Sequence, residues 1–598
     1  MTEPKMSVAV ALRAAVQAAG DRPAMIQGDR RRGYSELEAR AERVARALAE
    51  RGVGVGSTVA IALFNSFEYV ESVLAAFKIG AQPVNVNYRY REKELRYVLE
   101  YTGAAALVYD TSLADRVRGI RDELPAPIAL LEVGGDEASV VPGALAFERA
   151  AEPDSESEPG SPPTVSEPGS PPTVSEPGSP ASVSGPGSPA TVSGPGSPAT
   201  VSGPGSPATV SDPAEDSPHG IILLTGGTTG TPKGVIWDRD GLLGILNGVF
   251  RQQGLATPTT PAEVAERVRE LQVRDQVPVV LPMSPLMHGT GFFHAMRTLL
   301  AGGVLCFCDS RSLDAEEVWR TVQEHAVTEM VIVGDAFGGP LVDALDAAER
   351  AGNPYDLGSL RRMTSSGVLW STEVKRELLR RGRKLTLVDN ISASEGGPFG
   401  LAEASSEADL ADGRFNLSPV ARILDEHDRD IEPGSGQVGV LASAGPQPVG
   451  YLGDPDRTAR IWRTIDGVRY AVPGDLASLD ADGRLILLGR GDGVVNTGGE
   501  KVFPEEVEQA LITHPAVDDA IVVGIPDPRW GQIVAAVVAP ASGLGGVPDE
   551  ELIQHVRDRL AAYKSPRRII RVGVVPRTPA GKANRSLARQ LVTEETAP

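Results

Sequence analysis

Cysteine is scarce in this chain, since only Cys306 and Cys308 occur among 598 residues. So few cysteines exclude a disulfide framework and favour a reducing compartment, most simply the cytoplasm. No apolar run approaches the roughly 18 residues of a membrane-spanning helix, and no secretory signal is recognised, so stable membrane insertion and secretion are not expected. Positive charge is in deficit, because 58 lysines and arginines face 79 aspartates and glutamates, a net charge of −21. That sign disfavours nucleic acid as a partner.

A repeat rich in proline, glycine and serine interrupts the sequence. Residues 157–210 repeat one nonapeptide six times, as SEPGSPPTV twice, SEPGSPASV once and SGPGSPATV three times. Valine is the one sizeable apolar side chain in each unit, so the segment buries too little surface to offset the entropy of ordering it. We therefore predict a disordered insertion over residues 151–218. A neutral expanded loop is the simpler interpretation, and a tether for a partner is the alternative.

The rest of the chain predicts an α/β fold in at least two domains, because 598 residues exceed what one hydrophobic core supports. Amphipathic helical stretches such as residues 34–52 alternate with short apolar stretches such as 58–64. This rhythm is typical of a parallel sheet covered by helices. We expect a large N-terminal domain of α/β subdomains over residues 1–490, which the insertion interrupts. Residues 491–598 predict a small α+β domain.

The strongest chemical signal is the segment IILLTGGTTGTPKGV at residues 221–235, where an apolar strand leads into a loop of glycines, threonines and one lysine. Glycines let the backbone approach a ligand, while hydroxyls, free amides and a lysine attract anionic oxygens. The loop is not a Walker motif, because its lysine follows proline and is followed by glycine. We predict a phosphate cradle formed by Thr225, Gly227, Thr228, Thr229, Gly230 and Lys233.

Five motifs in order resemble those of the adenylate-forming enzymes, the family of acyl-CoA synthetases, luciferases and adenylation domains. The loop at residues 225–235 differs from the family's TSGTTGxPKGV by one residue. The other motifs are PLMHGTG at 285–291, IWRTIDGVRYAVPGDLA at 461–477, LLGRGDGVVNTGGEKVFPEEVE at 487–508 and PAGKANR at 579–585. The resemblance covers essentially the whole chain except the repeat. It also implies a small β-barrel within the large domain and a hinge before the small one.

The resemblance assigns roles to single residues in these motifs. It implies that His288 lies beside the acyl site, and that Asp475 and Arg490 bind the ribose of ATP. It implies that Thr228, in the loop, and Lys582 act on the reacting phosphate, with Lys582 reaching both the carboxylate and the α-phosphate.

The hinge motif carries two further implied roles. Asp492 resembles the residue about which the small domain rotates after the first half-reaction. Gly498 and Gly499 then resemble the loop that admits the pantetheine arm of coenzyme A. Two glycines leave room for a thin thiol chain beside the backbone.

One motif departs from the family, whose YGxTE is here ISASE at residues 391–395. Glu395 keeps the carboxylate that resembles the Mg²⁺ ligand and acts in catalysis, and Ser394 keeps a hydroxyl for the phosphate. Ile391 replaces the tyrosine that stacks on adenine, so only apolar contact with one face of the base is expected there. Asn390 and Gly367 complete the implied nucleotide site.

Together, the motifs predict an ATP-dependent acyl-CoA synthetase with ATP, Mg²⁺ and coenzyme A as cofactors and a small carboxylic acid as its other partner. The detailed motifs look most like actinobacterial fatty-acid-type ligases, some of which activate bulky sterol-derived acids. Two alternatives stay open, an acyl-AMP ligase that loads a carrier protein in trans and an inactive adenylate-binding scaffold. The oligomeric state also stays open, with a homo-oligomer among the options.

Replacement of Lys582 by alanine tests the implied chemistry, because attack of a carboxylate on the α-phosphate joins two anions. We expect Lys582→Ala to slow adenylation by about 10²–10³-fold, equivalent to about 3–4 kcal/mol. Thioester formation from pre-made acyl-adenylate should be spared. Pyrophosphate release and acyl-CoA formation, measured separately, check this, and an equal loss in both half-reactions would contradict the role.

Overall fold

The computed structural model describes residues 6–135, 141–152, 219–226, 232–366, 370–410, 413–490, 493–497, 500–527, 531–541, 547–560, 562–578 and 581–594. The nonapeptide repeat lies outside these ranges, so the predicted disorder of the insertion stays a prediction. Among the helices in the described ranges, none combines the length and the apolar character needed to cross a bilayer.

The first sheet has eight strands and is parallel through its centre. The apolar stretch predicted at residues 58–64 forms its central strand, Thr58–Ala62, whose last four residues are buried. An antiparallel pair and a short strand close one edge. The spatial order is Gly450–Tyr451, Pro232–Asp238, His219–Gly226, Gln82–Asn85, Thr58–Ala62, Ala104–Asp110, Ala129–Val133 and Leu145–Ala146.

The second sheet has 15 strands and changes from parallel to antiparallel after Thr386–Ala393. Its antiparallel strands continue the path of the parallel part. Among the described residues no strand pairing closes them into a ring, so the small β-barrel stays a prediction. In spatial order the strands are Arg30–Gly33, Pro23–Gln27, Val304–Phe307, Val279–Pro282, Glu329–Ile332, Arg362–Ser366, Thr386–Ala393, Gly396–Ala404, Arg414–Leu417, Leu485–Arg490, Asp475–Leu479, Gly439–Ser443, Val468–Ala471 and Trp462–Ile465, with Ala421–Leu424 beside Gly439–Ser443.

Helices accompany both sheets and follow the predicted alternation with strands. The predicted helix at residues 34–52 is Tyr34–Ala49, whose buried residues recur at helical spacing along one face. The other helices in this part of the chain are Val8–Ala19, Phe67–Lys78, Glu92–Thr102, Ala114–Ile120, Phe147–Ala151, Arg239–Leu246, Gly248–Gln252, Pro261–Val273, Gly289–Leu300, Ala315–Glu324, Asp335–Arg350, Thr372–Arg381 and Pro455–Ile461.

The C-terminal part is a mixed sheet with helices, as the sequence predicts. Its strands are ordered Glu500–Val502, Val495–Thr497, Gly531–Pro540 and Val517–Asp527, with Arg568–Arg571 parallel to Gly531–Pro540. Apolar residues on both faces of this sheet form two core clusters. The helices are Pro504–Ile512, Asp549–Arg557 and Arg585–Glu594. The predicted α+β character of this small domain is thereby confirmed.

Helix Phe67–Lys78 is buried along its whole length and therefore carries its charged residues into the interior. The Glu71 side chain is fully buried, and its Oε1 accepts a hydrogen bond of 2.8 Å from Arg40 Nε. Burial raises the pKa of Glu71, while the guanidinium of Arg40 opposes that rise. Arg40 also donates to both carboxylate oxygens of Glu148 at 2.9 Å. Arg40 is therefore the cation on which the buried carboxylate depends.

Arg40→Met should destabilise the chain by about 3 kcal/mol, because it leaves a buried carboxylate without its principal partner. We place the value at the lower end of the usual range because Arg32 Nε still lies 3.4 Å from Glu71 Oε1. Denaturant unfolding followed by fluorescence measures the loss. The matched control is Arg118→Met, whose partner Asp115 is 92% exposed, and which should change stability by under about 1 kcal/mol. Equal effects of the two variants would contradict the argument.

Candidate active site

The predicted phosphate loop is the turn of a β-hairpin. Strands His219–Gly226 and Pro232–Asp238 pair antiparallel, with Thr225 opposite Lys233. The Thr225 hydroxyl lies 3.5 Å from the carbonyl oxygen of Lys233. The pairing therefore holds the two ends of the loop, near Thr225 and Lys233, side by side where these two strands of the first sheet end. The loop residues themselves lie outside the described ranges, namely Gly227, Thr228, Thr229 and Gly230.

Glu395 lies in a second hairpin, at the turn between strands Thr386–Ala393 and Gly396–Ala404. It is buried, and its Oε1 accepts a hydrogen bond of 2.6 Å from the Tyr451 hydroxyl. The Trp462 indole donates to the Glu395 carbonyl at 3.0 Å. The rings of Tyr451 and Trp462 also pack edge to face, with centroids 5.1 Å apart. The carboxylate is therefore fixed at one oxygen by a neutral donor.

A third aromatic donor holds the residue before Glu395. Trp237, from strand Pro232–Asp238 of the first sheet, donates its indole N–H to the Ser394 carbonyl at 3.2 Å. The phosphate-loop hairpin and the Glu395 turn are thereby tied together. Sequence analysis did not identify Tyr451, Trp462 or Trp237 as site residues. Trp462 lies within a recognised motif, which was the available signal for it.

The predicted adenine site follows from the pairing of two parallel strands. Ser366, the last residue of Arg362–Ser366, is the register partner of Asn390. Gly367 is the next residue along the chain and lies outside the described ranges. The Ile391 side chain is half-buried and packs against a hydrophobic cluster of the second sheet. The pairing therefore places Ser366, which precedes Gly367, beside Asn390, which precedes the ISASE segment.

His288 is the residue that begins helix Gly289–Leu300, and its ring is mostly buried. Burial lowers the pKa of His288 to about 4, and the positive charges of Lys582 and Arg89 add to this. The imidazole is therefore neutral at physiological pH. Its backbone neighbour Gly289 approaches Leu223 of the phosphate-loop hairpin so closely that a Cβ there would lie 3.3 Å from Leu223 Cδ1. His288 thus lies next to the strand that leads into the loop.

Lys582 lies in a tight loop of the small domain, and its side chain is exposed. The loop is closed by pairing of Arg577 with Ala583 and by a hydrogen bond of 2.7 Å from the Thr578 amide to the Lys582 carbonyl. The charge of Lys582 acts on His288 of the large domain. His288 and Lys582, two predicted catalytic residues from different domains, therefore lie close enough for the lysine charge to act on the imidazole.

The predicted ribose-binding pair is also brought together. Asp475 begins strand Asp475–Leu479 and is the antiparallel register partner of Arg490. The hinge residue Asp492 and the predicted coenzyme A loop, Gly498 and Gly499, lie outside the described ranges.

Gly489 is the next-to-last residue of strand Leu485–Arg490, which precedes the predicted hinge, and it has little space around it. It has φ +93°, a conformation that suits glycine. A Cβ at this position would collide with the Glu505 carboxylate of the small domain. Glu505 is itself held by Arg585, whose Nη2 lies 2.8 Å from its Oε1. The large and small domains therefore meet at this residue without space for a side chain.

Among the predicted site residues that the structure describes, His288 and Asn390 each have a buried polar atom without a hydrogen-bond partner, Nε2 and Oδ1 respectively. A buried polar group without a partner costs about 1–3 kcal/mol. A bound molecule with complementary groups would remove that cost. An amide oxygen accepts from an amine such as that of adenine, and a neutral imidazole offers one donor or one acceptor.

The comparisons with known proteins agree with this geometry. A family model described as AMP-binding enzyme matches residues 12–451, and one described as AMP-binding enzyme C-terminal domain matches residues 506–582. These two matches contain the phosphate-loop hairpin and Glu395 in the first and Lys582 in the second.

Relatives of similar length extend the finding. The medium/long-chain-fatty-acid–CoA/3-oxocholest-4-en-26-oate–CoA ligase of Mycolicibacterium smegmatis is 35% identical over 97% of this chain and 95% of its own. The 3-oxocholest-4-en-26-oate–CoA ligase of Rhodococcus rhodochrous is 33% identical over 96% and 94%. Among solved structures, the anthranilate CoA ligase AuaEII in complex with anthranoyl-AMP has a TM-score of 0.76 at 19% identity, covering 100% of this chain and 99% of that one. This last likeness shows the fold.

Removal of the Lys582 charge should raise the pKa of His288, because that charge disfavours the imidazolium. We expect Lys582→Ala to move the pKa from about 4 toward the ordinary value, while burial keeps it below about 6.5. A histidine-selective NMR titration measures the shift. The control is Lys564→Ala, which removes a small-domain lysine paired with Glu506 and should leave His288 unchanged. An unchanged pKa in Lys582→Ala would contradict the proximity.

Proposed function

Because the chain belongs to the family of AMP-binding enzymes and is an AMP-forming acyl-CoA ligase, we propose that it activates a fatty acid or a bulky sterol-derived acid with the residues identified above. The family resemblance and the synthetase activity expected from the sequence are confirmed. Loading of a carrier protein and an inactive scaffold, the two alternatives, have no support in the comparisons. The substrate class is supported by relatives named as ligases of fatty acids and of 3-oxocholest-4-en-26-oate.

In the first half-reaction, a carboxylate oxygen of the acid forms a bond to the α-phosphorus of ATP. The bond from that phosphorus to the bridging oxygen breaks, and pyrophosphate leaves with the electron pair. The observation that carries this proposal is the junction in which Trp237 ties the phosphate-loop hairpin to the turn that holds the buried Glu395, with the charge of Lys582 acting on the nearby His288. Lys582 stabilises the negative charge that accumulates at phosphorus, and positive charge placed there in advance lowers the barrier. His288 is neutral because burial lowers its pKa to about 4. It therefore orients the substrate carboxylate without forming an ion pair with it.

The other predicted residues bind the nucleotide. Lys233 and the threonines of the loop, Thr225 among them, bind the β- and γ-phosphates, and Ser394 binds the α-phosphate. Asn390 accepts from the adenine amine, which pairs its buried Oδ1. Ile391 and Gly367 cover the base, and Asp475 with Arg490 binds the ribose hydroxyls. The cross-strand pairing of Asp475 and Arg490 supports their joint role.

Mg²⁺ belongs to the same proposal, with Glu395 as its protein ligand. Carboxylate oxygens suit Mg²⁺, which is usually held by one or two carboxylates together with substrate phosphates. Tyr451 donates to Glu395 Oε1, which leaves Oε2 for the cation. Among the described residues no group of three or more His, Cys, Asp and Glu side chains forms a metal cage, so this donor set fits a cation that arrives with ATP. When bound, Mg²⁺ neutralises charge on the transferred phosphate.

The second half-reaction transfers the acyl group from AMP to the thiol of coenzyme A. The thiol loses its proton to solvent and its sulfur forms a bond to the acyl carbon. The bond from that carbon to the phosphate oxygen breaks, and AMP leaves with the electron pair. We assign Asp492 as the hinge and Gly498 with Gly499 as the backbone that the pantetheine passes. A cytoplasmic location completes the proposal, supported by the free thiols of Cys306 and Cys308.

Turnover across a panel of acids tests the substrate. The full chain with Mg-ATP is given saturated acids of eight to eighteen carbons, a sterol side-chain acid, benzoate and malonate, each with and without coenzyme A. We expect pyrophosphate release and acyl-CoA, identified by mass, with the long-chain or sterol acids. A second variant, Glu395→Gln, tests the metal ligand. It should require a higher Mg²⁺ concentration for activity and should bind Mg-ATP more weakly, as measured by calorimetry. Turnover with benzoate or malonate alone would contradict the substrate class.

A further inference from the structure

Arg577 is the anchor of the Lys582 loop. Its guanidinium binds Asp519 with two bonds, from Nε to Oδ2 at 2.7 Å and from Nη2 to Oδ1 at 2.5 Å. The remaining nitrogen, Nη1, donates to the carbonyl of Gly581 at 3.0 Å. Gly581 immediately precedes Lys582. One planar side chain therefore connects the body of the small domain to the backbone that carries the lysine.

The backbone of the loop is closed around the same residue. Arg577 pairs with Ala583 in an isolated β-bridge, and the Lys582 amide donates to the Thr578 hydroxyl at 3.2 Å. The Gly581 amide donates to the Thr578 carbonyl at 2.8 Å. These bonds fix the shape of the loop, and the bond from Arg577 to Gly581 fixes its orientation relative to Asp519. The direction in which Lys582 leaves the small domain depends on Arg577.

The charge of one carboxylate of the large domain, Asp335, acts on Arg577. Asp335 begins helix Asp335–Arg350, and its Oδ1 accepts from the Ser371 amide at 3.0 Å. Burial raises the pKa of Asp335; Lys375 lowers it and the charge of Asp519 raises it further. Burial disfavours the charged form of Arg577, but its bonds to Asp519 and the charges of Asp519, Glu508 and Asp335 raise its pKa. The guanidinium is therefore attracted by carboxylates from both domains.

Within the large domain, the negative charge of Asp335 is only partly compensated by the cation nearby, Lys375. Lys375 forms an ion pair with Asp389 as well as acting on Asp335. One ammonium thus serves two carboxylates of the large domain. In the orientation of the small domain seen here, Arg577 is a second cation on which the charge of Asp335 acts. This favours the orientation in which Lys582 lies near His288.

We propose that Arg577 is a positioning residue for adenylation, which orients Lys582 through Gly581 and stabilises the adenylation arrangement through Asp335. The proposal rests on the proposed role of Lys582. The simpler interpretation is that the pair of Arg577 and Asp519 only stabilises the small domain. The two differ in what happens when Arg577 or Asp335 is replaced, because only positioning separates the half-reactions.

Arginine is required at this position by its geometry. A guanidinium presents several N–H donors in a rigid plane, so it can bind a carboxylate with two of them and a carbonyl with a third. Lysine keeps the charge as a single compact centre and loses that directionality. Arg577→Lys should therefore keep the attraction to Asp335 and lose the orientation of the loop. It should retain part of the adenylation rate.

The test compares the half-reactions in the full chain with Mg-ATP and an acid found to be a substrate. Arg577→Met should slow adenylation about 10- to 100-fold, as expected for loss of hydrogen bonds to a charged group. Thioester formation from pre-made acyl-adenylate should change less than about twofold, and the KM for ATP should stay within about twofold. Arg577→Lys should lie between wild type and Arg577→Met. Arg571→Met, which breaks an ion pair with Asp549 in the same domain, is the matched control and should leave both steps unchanged.

Asp335→Asn probes the interdomain part without touching the small domain. It should slow adenylation about 3- to 10-fold and raise the pKa of His288, because Lys582 then spends less time nearby. The double variant Asp335→Asn/Arg577→Met should be less impaired than the product of the single effects. Multiplicative effects would overturn the contact between Arg577 and Asp335. Equal losses in both half-reactions, or normal adenylation in Arg577→Met, would overturn the positioning role. If Lys582→Ala itself adenylates normally, the proposed function of Lys582 fails first.

Discussion

The hydrogen bond from Tyr451 to Glu395 joins the two large sheets at the place where the chemistry is proposed. Tyr451 belongs to the edge strand of the eight-stranded sheet, and Glu395 to a turn of the fifteen-stranded one. The bond from Trp237 to Ser394 makes the same connection one residue earlier. Because both donors are neutral and buried, they fix the turn without neutralising the carboxylate. The strands that lead to the proposed phosphate loop and the carboxylate proposed as the metal ligand are joined at this junction.

The proposed site must attract anionic substrates to a chain that is itself strongly negative. The chain carries a net charge of −21, yet its substrates are themselves anions, namely an acid, a nucleoside triphosphate and coenzyme A. The proposed binding therefore relies on local cations, Lys233 on a hairpin and Lys582 on a loop of another domain. His288 contributes no charge, since burial lowers its pKa to about 4. In this proposal, positive charge comes from lysines on a hairpin and on a loop, while the imidazole of His288 stays neutral.

The sequence predicted what is encoded locally or in spaced motifs. The alternation of helices and strands, the small α+β domain and the strand leading to residues 225–235 follow from periodicity and glycine content. The partners of Glu395 could not be predicted, because Tyr451 lies 56 residues away and Trp237 is 157 residues from Ser394. Such contacts depend on how strands are ordered in the sheets, which side-chain patterns do not specify. The family resemblance placed Asp475 and Arg490 in one site, and the strand register shows why they meet.

The collision that a side chain at Gly489 would make with Glu505 gives this residue an influence out of proportion to its chemistry. Gly489 is not among the residues proposed to bind phosphate, base or acyl group, yet even an alanine there would have to displace the Glu505 carboxylate that Arg585 holds. A single methyl group at this position would therefore press on the boundary between the domains, while every residue proposed to meet a substrate stayed the same.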